Sequence, residues 1–298
     1  MSSSDDTLLR FLLPSAGVRG VAVRLDASWQ TLVARSSPPA ATAELLGQAC
    51  AASVLLTAHV KIKGRLSLQL RGGPIATLFA ECTADGAIRG IVRLREGETV
   101  LPPDLRMLGK DALLAITIEN PGLTGHDGRR QVGMVRPAGA RLDAALEAYF
   151  LQSEQLHTRL HLACNTEVAA GLLLQKLPGP SDDADGYPRA SALFETLRDE
   201  ELFTLAPMEI VHRLFHEEAP QLLGESGLHF GCSCSRERVA DVLIALGREE
   251  ADAAVAAGGG QAIVDCEFCG QTYSFDADAI AALFARQAGA LPGAPGLQ

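Results

Sequence analysis

Strand-like runs of apolar and β-branched residues occupy Val18–Leu25, Arg65–Leu70, Ile75–Cys82, Ala87–Leu94 and Leu113–Glu119. Turn signals at Arg71-Gly72-Gly73-Pro74 and Ala84-Asp85-Gly86 separate the middle runs, so the pattern predicts a meander of antiparallel strands. Helical spacing replaces it over Ala40–Val60 and Arg141–Leu156, where Leu142, Leu146, Tyr149 and Phe150 share one face. Strands and helices come in separate blocks, which predicts an α+β domain with an antiparallel sheet and packed helices rather than an alternating βαβ fold.

Beyond residue 178 the pattern changes. Pro178 to Pro188 is turn-rich and acidic and reads as punctuation. Two amphipathic helices are predicted after it, Pro188–Leu202 and Pro207–Glu218, each with proline at a plausible first turn. Their apolar residues, Leu193, Phe194, Leu197, Ile210, Leu214 and Phe215, need a surface to cover, because such short helices are marginal alone. Charge marks the same boundary: residues 1–178, 179–230 and 231–298 carry +3, −8 and −5 of the net −10. The expected organisation is an α+β domain (1–178), an acidic helical linker (179–230), a small cysteine-bearing module (231–287) and a disordered tail (288–298).

Four of the seven cysteines form two pairs, Cys232-Ser-Cys234 and Cys266-Glu-Phe-Cys269, separated by 31 residues. Tetrahedral zinc takes four thiolates, and positions i and i+2 of an extended segment face one side, so Cys232 and Cys234 can address one ion. Gly270 permits the tight turn of a zinc knuckle, and Gln271–Phe275 alternates like a returning strand. The site is predicted to hold one Zn2+, in preference to metal-free redox pairs or an iron–sulfur cluster. A structural zinc is worth about 10–16 kcal/mol in a small module, against roughly 5–15 kcal/mol for a typical domain, so losing it should unfold the module. Zinc-held thiolates remain nucleophiles and each pair can close on itself, which permits a redox switch. A permanently closed structural zinc stays open as the other reading. Cys50, Cys82 and Cys164 lie in apolar segments and are expected to be core residues.

Composition narrows the classes. With 47% hydrophobic residues the chain is not globally disordered, and Cys50–Val60, its longest apolar stretch, is too short to span a bilayer. The N-terminus carries Asp5 and Asp6 where a secretory signal would be basic, so a cytoplasmic protein is expected. The net-negative cysteine segment argues against nucleic acid, and Arg236 and Arg238 alone do not reverse this. No GxSxG, Walker A or HExxH motif suggests an enzyme. A CxxC oxidoreductase would bring a thioredoxin-like context that is missing around Cys266. His212 and His216 at i,i+4, and His229 near Cys232, are secondary metal candidates, read more simply as linker residues.

The cysteine array, Tyr149-Phe150 with Gln152-Ser153-Glu154-Gln155 and Thr158, Gln175-Lys176-Leu177-Pro178, and Cys234-Ser-Arg-Glu-Arg238 leading to Leu246-Gly247 together resemble the redox-regulated 33 kDa chaperonin family. Cys266-Glu-Phe-Cys269-Gly270 with Tyr273 and Phe275-Asp276 extends the likeness. It spans nearly the whole chain; Leu151 and His157 occupy variable places, and the tail after Gln287 matches nothing specific. The resemblance implies an ATP-independent holdase, not an enzyme, inactive while Cys232, Cys234, Cys266 and Cys269 hold zinc. Oxidation would pair Cys232 with Cys234 and Cys266 with Cys269, release zinc, unfold the linker and expose a surface for unfolding clients. It further implies a homodimer on activation through the N-terminal domain and reversal by thioredoxin- or glutaredoxin-type reductants, with no nucleic-acid or membrane partner. A constitutive zinc-stabilised binding module of the zinc-ribbon type, with nucleic acid as a candidate ligand, is the alternative.

Overall fold

The computed structural model describes residues 6–60, 62–120, 129–179 and 183–290. Contacts divide the chain into two units, Met1–Gly231 and Cys232–Gln298.

The first unit begins with β1 (Thr7–Leu13), β2 (Val18–Leu25), α1 (Ala27–Ser36) and α2 (Ala40–His59). The meander β3 (Arg65–Gly72), β4 (Ile75–Thr83) and β5 (Ala87–Leu94) follows as expected, then β6 (Leu113–Asn120), β7 (Arg129–Val135), α3 (Leu142–Tyr149), β8 (Thr158–Cys164) and β9 (Ala169–Lys176). The acidic segment supplies α4 (Gly186–Phe194), α5 (Asp199–Thr204), α6 (Pro207–Phe215), β10 (Gln221–Gly227) and β11 (His229–Phe230). Five strands form an antiparallel sheet in the order β10-β1-β2-β9-β8, and six form another in the order β11-β5-β4-β3-β6-β7, with β11 parallel to β5.

α2 packs against strands of both sheets, and the residues it shares with them make the main core. It is the one described helix long and apolar enough to cross a membrane, and two thirds of that stretch is buried inside the protein. The apolar span expected to be too short is thus part of a 20-residue core helix.

The five-stranded sheet is apolar on both faces. One face meets α2; the other, carrying Leu9, Phe11, Leu13, Val18, Leu172 and Leu174, is covered by the acidic segment through Phe194, Leu197, Leu202, Ile210, Leu214 and Phe215. This explains why β1 and β9 carry no alternation: a strand buried on both faces reads as a continuous apolar run. The helix expected over Pro188–Leu202 is two. It breaks before α5, where Glu201 accepts the Arg198 N–H at 3.0 Å and Asp199 and Glu200 complement the new N-terminus. Pro207 stands in the first turn of α6, and Glu209 accepts the Ala206 N–H at 2.8 Å.

Polar contacts rim this apolar interface. Arg24 donates to the Leu202 and Phe203 carbonyls at 3.1 and 2.7 Å, Arg159 pairs with Glu195 at 3.0 Å, and His161 lies 2.6 Å from Asp199. Arg189 of α4 pairs with Asp183 and with the buried Glu218, tying the two ends of the helical stretch together.

The second unit comprises α7 (Arg236–Leu246), α8 (Arg248–Ala257), the hairpin β12 (Gln261–Asp265) and β13 (Thr272–Asp276), and α9 (Ala277–Ala290). Its core is small: Ala240, Leu243, Ala251, Val255, Ala262, Phe275 and Ile280. α9 reaches Ala290, so residues 288–290 of the expected tail are helical, and the rest of that expectation lies outside the described residues.

Candidate metal centre

The two cysteine pairs occupy different local structures. Cys232 and Cys234 lie in the extended segment before α7, where Ser235 caps the helix by accepting the Arg238 N–H and Arg238 donates to the Ser233 carbonyl at 2.6 Å. Cys266 and Cys269 lie in the turn of the β12–β13 hairpin. The Cys266 N–H donates to the Gln271 carbonyl at 2.9 Å, and the Gly270 N–H returns to the Cys266 carbonyl at 2.8 Å. Gly270 has φ +67°, the left-handed geometry that glycine adopts without strain, as its place in the sequence implied. Below the turn, Thr272 donates to Asp265 at 2.6 Å.

All four Sγ atoms lie within 4.8 Å of one another, with Cys232–Cys266 at 3.6 Å and Cys234–Cys269 at 3.3 Å. Zn–S bonds of about 2.3 Å imply tetrahedral edges of about 3.8 Å, so the four donors fit a zinc ion in number, chemistry and spacing. Burial pushes the Cys232 thiol up and the Cys269 thiol up to about 12. Burial also raises Cys234, but hydrogen bonds from Tyr273 and the neighbouring sulfurs outweigh it and bring Cys234 down to about 7. Protons held by the cluster are those that metal binding would displace. Among the described residues this is the one group of three or more such ligands close enough to share an ion. The rings of His212 and His216 lie 5.6 Å apart and tilted by 48°, with no third ligand beside them among the described residues, and His229 belongs to β11 in the first unit.

The Tyr273 hydroxyl donates to Cys234 Sγ at 3.2 Å. Its position in an alternating strand signals only which face it occupies, so sequence reasoning did not assign it this role. Arg236 lies over the Phe275 ring at 4.1 Å, adding a cation–π contact where α7 meets the hairpin.

The other motif residues gather in the first unit. Buried Gln175 donates to Thr158 Oγ1 at 2.8 Å and accepts from Arg19 at 2.8 Å; Arg19 also lies 2.6 Å from His59 Nε2. Arginine cannot accept, so that His59 nitrogen does, and burial with the facing Arg19 pushes His59 down to about 4. Tyr149 donates to Glu154 at 2.9 Å. These contacts join strands and helix ends and are structural. Cys50, Cys82 and Cys164 are buried in the main core.

Comparison with known proteins follows the same outline. Residues 6–276 match the family described as Hsp33 protein. The "33 kDa chaperonin" of Ectopseudomonas mendocina is 39% identical over 287 residues, covering 94% of this chain and 96% of that protein. The protein of the same name from Chromobacterium violaceum is 40% identical over 280 residues, covering 94% of each. The crystal structure of the 33 kDa chaperonin (heat shock protein 33 homolog) of Thermotoga maritima superposes with a TM-score of 0.79 at 19% identity, covering 96% of this chain and 99% of that one, a likeness of fold.

Proposed function

The chain belongs to the Hsp33 family of chaperones, and from that premise we propose that it is a redox-regulated, ATP-independent holdase of the cytoplasm, not an enzyme. In this reading Cys232, Cys234, Cys266 and Cys269 hold one zinc ion in the reduced, inactive state. One observation carries the switch: α4–α6 cover an apolar sheet face, and the chain runs from them through β10 and β11 directly into Cys232. A change at the cysteines would then act at the end of the segment that hides the surface, which supports this reading.

Bound zinc supplies cross-linking that the seven-residue apolar core of the second unit cannot replace. Under peroxide, a thiolate attacks the O–O bond; sulfur takes one oxygen, is oxidised by two electrons to a sulfenic acid, and hydroxide leaves. A neighbouring thiolate then attacks that sulfur, forming the S–S bond and expelling a second hydroxide. A pair closed in this way offers no thiolate to a metal. The six Sγ separations all fall within 4.8 Å and do not select a pairing; Cys232 with Cys234 and Cys266 with Cys269 follows from the family resemblance. The linker, deprived of its downstream anchor, unfolds and bares the face of Leu9, Phe11 and Leu172 to unfolding clients. Homodimerisation on activation and reversal by thioredoxin- or glutaredoxin-type dithiols complete the proposal.

The test pairs zinc release with light scattering from a heated client protein. About one zinc per chain, released by peroxide, and suppression of aggregation only after oxidation are expected. Zinc that stays bound, with client aggregation unchanged under peroxide and mild heat, sinks the switch.

A further inference from the structure

The acidic segment does more than cover a sheet face; its last strands occupy the edges of both sheets. β10 pairs with β1, and β11 adds to β5 through the His229 N–H to the Gly86 carbonyl at 3.0 Å and the Gly231 N–H to the Ile88 carbonyl at 3.0 Å. Directly before β1 the main chain of Asp6 faces this edge, its carbonyl accepting from the Leu228 N–H at 3.1 Å. Strand alternation therefore aims the N–H and C=O groups of Leu8 and Arg10 at β10 as well.

β10 fills its place loosely. Leu222 and Leu223 are 49% and 61% exposed, the register slips between Arg10 and Phe11, and Gly224 and Gly227 supply no side chain. Arg10 reaches Ser226 Oγ only at 3.5 Å. Cavities of about 600 and 620 Å³ flank residues 223–230, one against α1 and one against the C-terminal end of α2. Two residues before it Ala219 has φ +47°, a left-handed conformation that disfavours a side chain and that release would relax. Secondary structure here rests on the backbone ladder more than on packing.

Resting on the chaperone reading above, we propose that β10 is a displaceable place-holder, and that the β1 edge it vacates binds an extended segment of an unfolded client by β-strand addition. The chain itself shows what the edge accepts: an extended segment held mainly through main-chain groups. Such recognition is indifferent to sequence, because every unfolded polypeptide carries the same N–H and C=O ladder. A bare edge beside an apolar face suits a client strand with alternating apolar residues better than it suits β10, whose leucines face solvent.

Hydrogen exchange of the full chain, read at Leu8 and Arg10, tests this. Reduced, zinc-loaded protein should protect both amides; oxidised, zinc-free protein should lose about ten-fold of that protection, and permanently unfolded carboxymethylated α-lactalbumin should restore it. The proposal is overturned, with the chaperone reading intact, if the client binds while both amides stay exposed, or if they never lose protection on oxidation. Restoration without client as chaperone concentration rises also overturns it, since a second copy then fills the edge. Oxidised protein that binds no client overturns the chaperone reading instead.

Discussion

The ring of Phe215, the last residue of α6, stacks on that of Phe11 in β1 with centroids 5.8 Å apart and planes 29° from parallel. Both side chains are fully buried, so this pair joins the acidic segment to the sheet face it covers. Truncating a buried phenylalanine costs about 3–5 kcal/mol, a large share of the roughly 5–15 kcal/mol that holds a whole domain. Phe215→Ala is therefore expected to undock the segment without oxidation, while the main core around α2 remains. Reduced protein with full zinc content should then suppress client aggregation in light scattering; a reduced variant that stays inactive although its linker amides exchange freely contradicts the covering role.

Tyr273 and Cys234 make the second testable contact. A hydrogen bond to a thiolate draws off electron density and lowers its nucleophilicity. Tyr273→Phe keeps the ring beside the small core and loses the 3.2 Å bond. Zinc release by peroxide, followed with a chromogenic chelator, should accelerate by about two- to five-fold. An unchanged or slower rate at equal zinc content removes this role from the hydroxyl.

The pH dependence of linker docking follows from its carboxylates. The hydrogen bond from Arg189 holds Glu218 and Asp183 below the ordinary carboxylate range, and that from Arg213 does the same for Glu201. A carboxyl depressed in the folded state contributes stability that is present above its unfolded pKa and lost as pH falls through its folded one. Docking should thus be flat across neutral pH and weaken below about pH 4. Hydrogen exchange over residues 183–218 reads this, and Arg189→Met should weaken docking at neutral pH and shrink the acid loss, because Glu218 and Asp183 are then no longer held down. Docking that tightens on acidification contradicts the assignment.

Chelation should divide the seven cysteines sharply. Burial pushes Cys82 and Cys164 up to about 12 and Cys50 higher still. With the metal removed the small module opens and the burial that holds Cys232 and Cys269 up is relieved, so iodoacetamide at mild alkaline pH is expected to label Cys232, Cys234, Cys266 and Cys269 within minutes and to leave the other three until denaturant is added. Peptide mass mapping reads the outcome, and early labelling of Cys50 would show that the core opens with the module.

Local pattern was legible where one face of an element is buried and the other wet. β5 spans the predicted Ala87–Leu94, and the other predicted strands recur within two residues. β1 and β9 were not legible, because burial on both faces erases the period-two signal. The break at Arg198 was hidden in a run whose residues all suit helix; only the need to seat Leu197 and Leu202 on one sheet face divides it.

The sequence by itself determined which four cysteines could share an ion, because thiolate chemistry and close spacing are local properties. It also determined that an acidic amphipathic segment needed a surface to cover. Which surface, and that Tyr273 would reach Cys234, were decided by tertiary structure alone. The same folding placed β10 and β11 on the edges of the two sheets, since pairing between residues such as Leu8 and Ser226 depends on chain closure over hundreds of residues and leaves no periodic trace in the order of amino acids.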